Sequence, residues 1–265
     1  MFKPHLDRWH LIADGASITT HSSHLLPVLW QGNPAMLKLA NDEAERSGGA
    51  LMQWWGGNGA ARVYARDAEA VLLERAQGTR SLLAMAMSGE DDEASRILCT
   101  TVARLHAPRH TPPPPLIPLA RWFRALASAA RTHGGIFAEC QKISAALLAD
   151  PRDPTVLHGD IHHSNILDFE AHGWLAIDPK GLFGESGFDY ANIFANPDLP
   201  TVTFAGRLQR QLPIVSAQAD IEPQRLIRWI AAYCGLSAAW FLADGATAEA
   251  ESPLAVARIA LAELQ

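Results

Sequence analysis

The sequence is poor in cysteine. Its 265 residues include three, Cys99, Cys140 and Cys234, which lie far apart and show no CxxC spacing. A disulfide framework uses an even set of cysteines and a thiolate metal site uses closely spaced ones, so we expect neither. We interpret the three as small apolar residues of the core.

Positive charge and long apolar segments are also scarce. Lysine and arginine number 22 against 28 aspartates and glutamates, for a formal net charge of -6. We therefore expect no nucleic acid partner and favour a cationic small molecule. The apolar stretch from Trp229 to Ala243 is shorter than the roughly 20 residues that cross a membrane. Because the first residues also lack a signal-peptide pattern, the sequence predicts a cytoplasmic protein with no membrane partner.

The composition is that of a chain with a folded core, since 48% of the residues are hydrophobic and 19% are charged. Before residue 75, short apolar runs predict five strands. An Asn-Asp-Glu start and a Gly-Gly end predict one helix, residues 41–55, after the third strand. The predicted strands span residues 9–13, 24–30, 35–39, 61–65 and 70–73.

Beyond Gly78 the pattern becomes mainly helical. Apolar residues at helical spacing predict a helix at 91–107, and six prolines between Pro108 and Pro118 predict a stiff extended connector. The other predicted helices are 117–131, 135–149, 204–219, 223–242 and 253–264, and the other predicted strands are 155–158, 166–169 and 174–177.

Three oxygen-bearing side chains stand at the ends of the predicted strands in this region. Asp160 follows one strand in the sequence His-Gly-Asp, Asn165 opens the next, and Asp178 ends the third. Strand ends and their loops hold side chains rigidly. Phosphoryl transfer needs a carboxylate that accepts the proton of the attacking hydroxyl and hard oxygen ligands for Mg²⁺. Asp160 suits the first task, and Asn165 and Asp178 suit the second.

The clustered histidines allow an alternative. His158, His162 and His163 lie near Asp160 and are ligands of the kind found in zinc or iron hydrolases. Adjacent histidines on an extended segment point in opposite directions, and neither HExxH nor a facial-triad spacing is present. We therefore favour a structural role for His158.

The segment 157–198, LHGDIHHSNILDFEAHGWLAIDPKGLFGESGFDYANIFANPD, resembles the aminoglycoside phosphotransferase superfamily. Within that superfamily it is most similar to the streptomycin 6-kinase branch, also called the aminoglycoside/hydroxyurea antibiotic resistance kinases. The resemblance extends to THSSHLLPV near the N-terminus and to GLSAAWFLADG at 235–245, and so covers most of the chain.

The resemblance implies an α+β fold, the bilobal architecture of protein kinases, and the count of predicted strands and helices agrees with it. The smaller lobe, residues 1–75, would bind nucleotide with a five-stranded antiparallel sheet and one helix. The larger and mainly helical lobe, residues 76–265, would carry catalysis and the acceptor. ATP and Mg²⁺ are the implied cofactors.

The resemblance also assigns residues on the nucleotide side. Lys38, the one lysine between Lys3 and Lys142, would orient the α- and β-phosphates, paired with Glu45 or alternatively Glu43. No GxGxxG is present, and Ser22 and Ser23 stand where that loop belongs, as candidate phosphate donors.

The hinge and the acceptor site are implied in the same way. The main chain of Glu74 and Ala76 would bind adenine. Asp189 would brace the catalytic loop. The residues proposed to hold substrate cations are Glu185, Asp244, Glu249 and Glu251. Guanidinium groups are the natural complement of such carboxylates.

The implied function is transfer of the γ-phosphate of ATP to a hydroxyl of streptomycin, as in the 6-kinases. Two alternatives stay open. One is a kinase for hydroxyurea or another small metabolite. The other is a catalytically silent binding protein, against which the intact Lys38, Asp160, Asn165 and Asp178 argue.

Overall fold

The computed structural model describes residues 1–20, 23–40 and 43–265, and the side chains at 43–45 lie outside that description. The helices are α1 (Lys3–Trp9), α2 (Glu43–Trp55), α3 (Leu82–Met87), α4 (Asp91–His106), α5 (Leu119–Trp122), α6 (Arg124–His133), α7 (Gly135–Ala149), α8 (Gly187–Phe194), α9 (Leu199–Val202), α10 (Arg207–Ala219), α11 (Pro223–Ala243) and α12 (Thr247–Ala262). The strands are β1 (Ile12–Ala13), β2 (Ile18–Thr19), β3 (Ser23–Trp30), β4 (Asn33–Ala40), β5 (Val63–Arg66), β6 (Ala70–Glu74), β7 (Ile117–Pro118), β8 (Pro154–Leu157), β9 (Ile166–Asp168), β10 (Trp174–Ala176) and β11 (Leu182–Glu185).

The N-terminal sheet is antiparallel, with the order β1-β3-β4-β6-β5 and with β2 also paired to β3. It therefore has six strands among the described residues, against the five predicted. The predicted strand at 9–13 was wrong in its first half, because Trp9 ends helix α1 and the strand begins at Ile12. β1 and β2 have two residues each, which is too short for an alternating pattern to reveal them.

Strand β4 lies in the middle of this sheet, and its side chains alternate between the two faces. Alternate residues Ala35, Leu37 and Leu39 join an apolar cluster that α1 covers. Because successive strand residues point to opposite faces, Lys38 lies on the other face, with Leu25 and Val71 as its cross-strand partners. The sheet thus presents the lysine on the side away from α1.

The rest of the chain is mainly helical, as expected. Helix α11 forms its centre, and Trp229, Ile230 and Cys234 of that helix are fully buried. Helix α11 is long and apolar enough to cross a membrane, but 67% of its most apolar stretch is buried inside the protein. Core helices meet the same criterion, and α11 packs against α7, α8 and α12.

Two short strand pairs sit between the sheet and the helices. β9 and β10 form an antiparallel hairpin, and β11 pairs with β7 and β8. Backbone bonds from Ala61 N–H to Ala176 O and from Ala176 N–H to Gly59 O join the hairpin to the N-terminal part. One large apolar cluster also runs from Trp55 to the C-terminal helices. The division at residue 75 stays a prediction.

Candidate active site

The loop after β8 is held by a buried carboxylate. Asp189, which is 1% exposed, accepts the backbone N–H of His158 at 2.9 Å and that of Gly159 at 2.7 Å. The Nε2 atom of His106 lies 2.9 Å from the same carboxylate. Two N–H groups converging on one buried acid fix the loop backbone that carries Asp160. This is the bracing contact expected of Asp189.

His158 ties that loop to the end of the β9–β10 hairpin. Its Nε2 atom lies 2.8 Å from the carbonyl oxygen of Ile177, and its Nδ1 accepts the N–H of Asp160 at 3.2 Å. This pattern requires the proton on Nε2. Burial lowers the pKa of His158 despite the neighbouring Asp189 and Asp160. The ring is therefore neutral, and its hydrogen bonds give it the structural role predicted from the sequence.

Asn165 lies against Asp160. Its amide nitrogen donates to the Asp160 backbone oxygen at 2.9 Å and to the carboxylate Oδ2 at 3.3 Å. Asn192 Nδ2 lies 3.5 Å from the other carboxylate oxygen. The amide contacts orient the Asp160 side chain, and the carboxylate keeps part of its surface open, with 31% of the side chain exposed.

Asp178 joins this group from the hairpin. The Ile177 N–H donates to Asn165 O at 2.9 Å, which brings the residue after it beside Asn165. Asp178 has φ of 59°, a conformation that costs energy in a residue with a side chain. Its Oδ1 lies 2.6 Å from the Nζ of Lys38, whose side chain is 6% exposed. The side chains of Glu43 and Glu45 lie outside the described residues.

These residues fit a magnesium ion. The Asn165 amide nitrogen is used by Asp160, which leaves Oδ1 as a hard oxygen ligand beside the carboxylate of Asp178. One or two such protein ligands plus phosphate oxygens are a usual magnesium set. Among the described residues, no group of three His, Cys, Asp or Glu side chains is placed to hold a metal ion. The zinc or iron hydrolase alternative thus lacks a site there.

Asp160 opens into a cavity of about 520 Å³. Asp198 and Glu249 add two carboxylates, and Trp122, Tyr233, Trp240 and Phe241 add aromatic walls. Glu249 was among the predicted substrate residues. Asp198 and the aromatic walls were missed, because they come from α5, the start of α9 and α11, which are more than 100 residues apart in sequence.

The two adjacent histidines face different surroundings. His162 lines the cavity, with its Nε2 3.9 Å from Asp160 Oδ1. His163 is buried and 3% exposed, and burial together with the charge of Arg207 lowers its pKa to about 4. The two side chains therefore have different surroundings, but the segment is not extended as expected, because residues 163–165 form a turn in which the Asn165 N–H donates to His162 O at 3.0 Å.

Glu185 was predicted to hold a substrate cation, and the structure places it elsewhere. It is absent from the cavity of Asp160 and is 3% exposed. Both carboxylate oxygens contact Arg225 at 2.6 Å, and they also accept Trp229 Nε1–H at 2.7 Å and Arg152 N–H at 2.9 Å. The prediction failed because a carboxylate filled by internal donors has no lone pair left for a ligand.

Two further predicted substrate acids do not line the cavity either. Asp244 follows the last residue of α11 and is exposed. Glu251 lies on α12, exposed, with Oε2 3.8 Å from Arg258 Nη1. Glu249, two residues earlier, faces the cavity because its position on the helix differs by about 200°.

Ser22, the first of the two expected phosphate donors, lies outside the described residues. Ser23 is 1% exposed, and its N–H donates to Thr20 Oγ1 at 3.1 Å. Its hydroxyl lies 3.0 Å from the same oxygen. Ser23 is buried and its N–H and hydroxyl both contact Thr20, so the structure does not present it to a phosphate.

The predicted hinge follows β6. The Glu74 N–H donates to Arg62 O at 2.8 Å, and Ala76 stands in the irregular segment beyond the strand. The Glu74 side chain contacts His172 Nδ1, across the junction between the sheet and the helical part. An adenine contact through the main chain of Glu74 and Ala76 stays a prediction.

A braced carboxylate beside an asparagine, an aspartate paired with a lysine from a sheet, and an acidic cavity define a phosphotransferase site. Residues 8–245 match the family described as aminoglycoside/hydroxyurea antibiotic resistance kinase, and the chain belongs to it.

Two relatives and one solved structure illustrate the similarity. A streptomycin 3''-kinase from Klebsiella pneumoniae is 54% identical over 245 residues, covering 91% of this chain and 92% of the relative. A streptomycin 6-kinase from Streptomyces griseus is 32% identical, covering 95% and 85%. The structure is a thermostable mutant of aminoglycoside phosphotransferase APH(4)-Ia in complex with ADP and hygromycin B. It superposes with a TM-score of 0.68 at 13% identity, covers 97% of each chain, and shows the shared protein-kinase-like fold.

Proposed function

We propose that this protein transfers the γ-phosphoryl group of ATP to a hydroxyl group of streptomycin. The observation that carries the proposal is the position of Asp160. Its carboxylate is oriented by two amide side chains and opens into an acidic cavity, beside the paired Lys38 and Asp178. The relatives named above act, by their names, on streptomycin.

On the nucleotide side, Lys38 is the residue to bind phosphate oxygens. Its ammonium is nearly buried beside Asp178, and a phosphate would share the charge of the lysine with that carboxylate. Asn165 and Asp178 would hold Mg²⁺, which supplies positive charge across the phosphates. The adenine would lie against the main chain of Glu74 and Ala76.

On the acceptor side, Asp160 takes the proton from the attacking hydroxyl. Streptomycin carries two guanidinium groups and an amine, and Asp198 and Glu249 are the carboxylates placed to bind them. The aromatic walls contribute apolar contact and cation-π attraction. A small neutral acceptor such as hydroxyurea would use few of these charges, and we rank it second.

The hydroxyl that accepts the phosphate is a finer question. The sequence resemblance implies the 6-hydroxyl, whereas the relative with 54% identity is named a 3''-kinase. The 6-kinase identity is 32%. The larger identity favours the 3''-hydroxyl, so we propose this position and retain the 6-hydroxyl as the second candidate.

The test is phosphate transfer from γ-labelled ATP with Mg²⁺ to streptomycin, followed by NMR of the product. We expect one phosphorylated product, with the altered resonances on the sugar that carries the 3''-hydroxyl. Alteration at the 6-position instead would keep the streptomycin kinase assignment and reverse the position. No transfer to streptomycin, while hydroxyurea or another hydroxyl compound is phosphorylated, would overturn the assignment. Loss of transfer to every acceptor, with ATP still bound, would favour the silent binding protein.

A further inference from the structure

Lys180 is held against the loop that carries Asp160. Its backbone N–H donates to His158 O at 2.7 Å. A Cβ atom built on Gly159 would approach the Lys180 Cβ to 3.2 Å, and Gly159 has φ of 86°. Close contact and positive φ both require glycine there. Lys180 follows Asp178 by two residues, and its backbone is therefore fixed relative to Asp160.

The Lys180 side chain lines the cavity. Its Nζ lies 4.0 Å from Asp160 Oδ2, and Lys180 lines the same cavity as Asp198 and Glu249. Of the described residues around that cavity, it is the one lysine or arginine. A single ammonium group thus lies beside Asp160 in a cavity whose other charged residues are acids.

That position is unfavourable for the acceptor. A guanidinium or ammonium group on streptomycin is attracted by Asp198 and Glu249 and repelled by Lys180, so the lysine weakens acceptor binding. A cation at this position would instead stabilise a bound anion. The anion that must pass this point is the phosphoryl group, which moves from the nucleotide side at Asp178 to the hydroxyl beside Asp160.

We propose that Lys180 is a catalytic residue that contacts the phosphoryl group during transfer; this rests on the proposed kinase function. The acceptor oxygen forms a bond to the γ-phosphorus while the bond to the bridging oxygen breaks, and that electron pair leaves with ADP. The acceptor proton goes to Asp160. Negative charge is spread over the equatorial phosphoryl oxygens in the transition state, and the Lys180 ammonium stabilises it there.

This role differs from that of Lys38. The Lys38 ammonium contacts Asp178 Oδ1 at 2.6 Å, on the sheet side of the site. Lys180 lines the cavity, where its Nζ lies 4.0 Å from the Oδ2 atom of Asp160, the proposed proton acceptor. Lys38 thus binds the phosphates of ATP before the reaction, while Lys180 stabilises the phosphoryl group during its transfer.

The test compares Lys180→Met, Lys180→Arg and the matched control Lys142→Met, whose lysine is exposed on α7 and lines another cavity. We expect Lys180→Met to lower kcat by about 10²- to 10³-fold, a range typical of losing one transition-state contact. KM for streptomycin should stay or fall, because a repelling cation is removed. Lys180→Arg should recover part of kcat, and Lys142→Met should match the wild type.

A second readout separates catalysis from a structural effect. The affinity of each protein is measured for MgADP alone and for MgADP with aluminium fluoride and streptomycin, which mimics the phosphoryl group in transfer. In Lys180→Met we expect the second affinity to fall by about the same factor as kcat, with the first changed less than about twofold.

Two outcomes overturn the role of Lys180 alone: kcat of Lys180→Met within about threefold of wild type, or equal losses of affinity for MgADP and for the aluminium fluoride complex. The second would mark a folding or positioning defect. A wild-type protein that transfers phosphate to no acceptor would overturn the proposed function, and with it this inference.

Discussion

Two acidic regions of this molecule show what distinguishes a binding carboxylate from a structural one. Around Asp160, amide side chains contact each carboxylate oxygen from one side, and the remainder faces a cavity. Around Glu185, Arg225 contacts both oxygens while Trp229 and the Arg152 backbone complete the set. The two acids look alike in sequence, because each follows or ends a short strand near glycine.

The difference is the supply of internal donors. A carboxylate accepts about four hydrogen bonds. The protein provides Glu185 with four of them, from three residues, and burial then makes the arrangement rigid. Asp160 receives weaker contacts that orient it without using all of its lone pairs. Only the arrangement around Asp160 leaves an acid that can accept a proton from a ligand.

The first test of this comparison has the largest expected effect. Asp160→Asn keeps the shape of the side chain and one oxygen that can accept from Asn165 or Asn192, but it replaces the other oxygen with an amide nitrogen and removes the proton acceptor. We expect turnover to fall by about 10²- to 10⁴-fold, with nucleotide affinity largely retained. Product formation and calorimetry of MgATP binding measure the two quantities. Near-wild-type turnover would remove Asp160 from its assigned role.

The sequence predicted this half of the comparison well. His158, Asp160, Asn165 and Asp178 lie within 21 residues, on strand ends whose short apolar runs are visible in the sequence. Their convergence is therefore local, and the structure brings them together as expected. Lys38 on β4 was assigned by the resemblance, and its place in an apolar run agreed with a buried position, which the structure has.

The acceptor side was predicted poorly because it depends on long-range packing. Asp198, just before α9, and Glu249, on α12, line the same cavity as Asp160, and nothing in the local pattern separates Glu249 from Glu251. The partner of Glu185 is Arg225, 40 residues away on α11. A predicted acid can be assigned to substrate or to structure only after such partners are known.

The second test reverses the expectation for Glu185. Glu185→Gln leaves the Arg225 guanidinium buried without its counter-charge, and loss of one partner of a buried pair costs about 3–5 kcal/mol. We expect that loss in the free energy of unfolding, measured with denaturant, and little change in KM for streptomycin at a temperature where the variant is folded. An unchanged stability with a raised KM would restore the substrate role.

A double-mutant cycle tests whether Glu185 and Arg225 stabilise the protein as a pair. Arg225→Met removes the other partner, and the double variant Glu185→Gln/Arg225→Met removes both charges. Because the two residues are in contact, we expect the double variant to lose less stability than the sum of the single losses. Strict additivity would show that the pair does not act as a unit.

The third test uses pH. Burial raises the pKa of Glu185, but the hydrogen bonds from Arg225, the Arg152 N–H and Trp229 outweigh it, so the pKa lies below its ordinary value of 4.5. An acid whose pKa is lower in the folded than in the unfolded protein stabilises the fold. This stabilisation is fully present above the unfolded-state pKa and is lost as the pH falls through the folded-state pKa. The stability difference between wild type and Glu185→Gln should be constant near neutral pH and shrink below about pH 4.5, by at most about 1.4 kcal/mol per pH unit. A difference that grows on acidification would contradict the sign.

The last test has the smallest effect and concerns the open acids. Glu249→Gln and Asp198→Asn remove charge from the cavity, and asparagine preserves the helix cap that Asp198 gives to the Thr201 N–H. We expect each to raise KM for streptomycin by about 3- to 10-fold with KM for ATP unchanged, because partly solvated charges interact weakly. Glu251→Gln is the control, since Glu251 lies outside the cavity beside Arg258. Added salt should raise KM of the wild type more than that of Glu249→Gln, because screening has less charge to act on in the variant. If Glu251→Gln raised KM as much as Glu249→Gln, net charge rather than the cavity would determine binding.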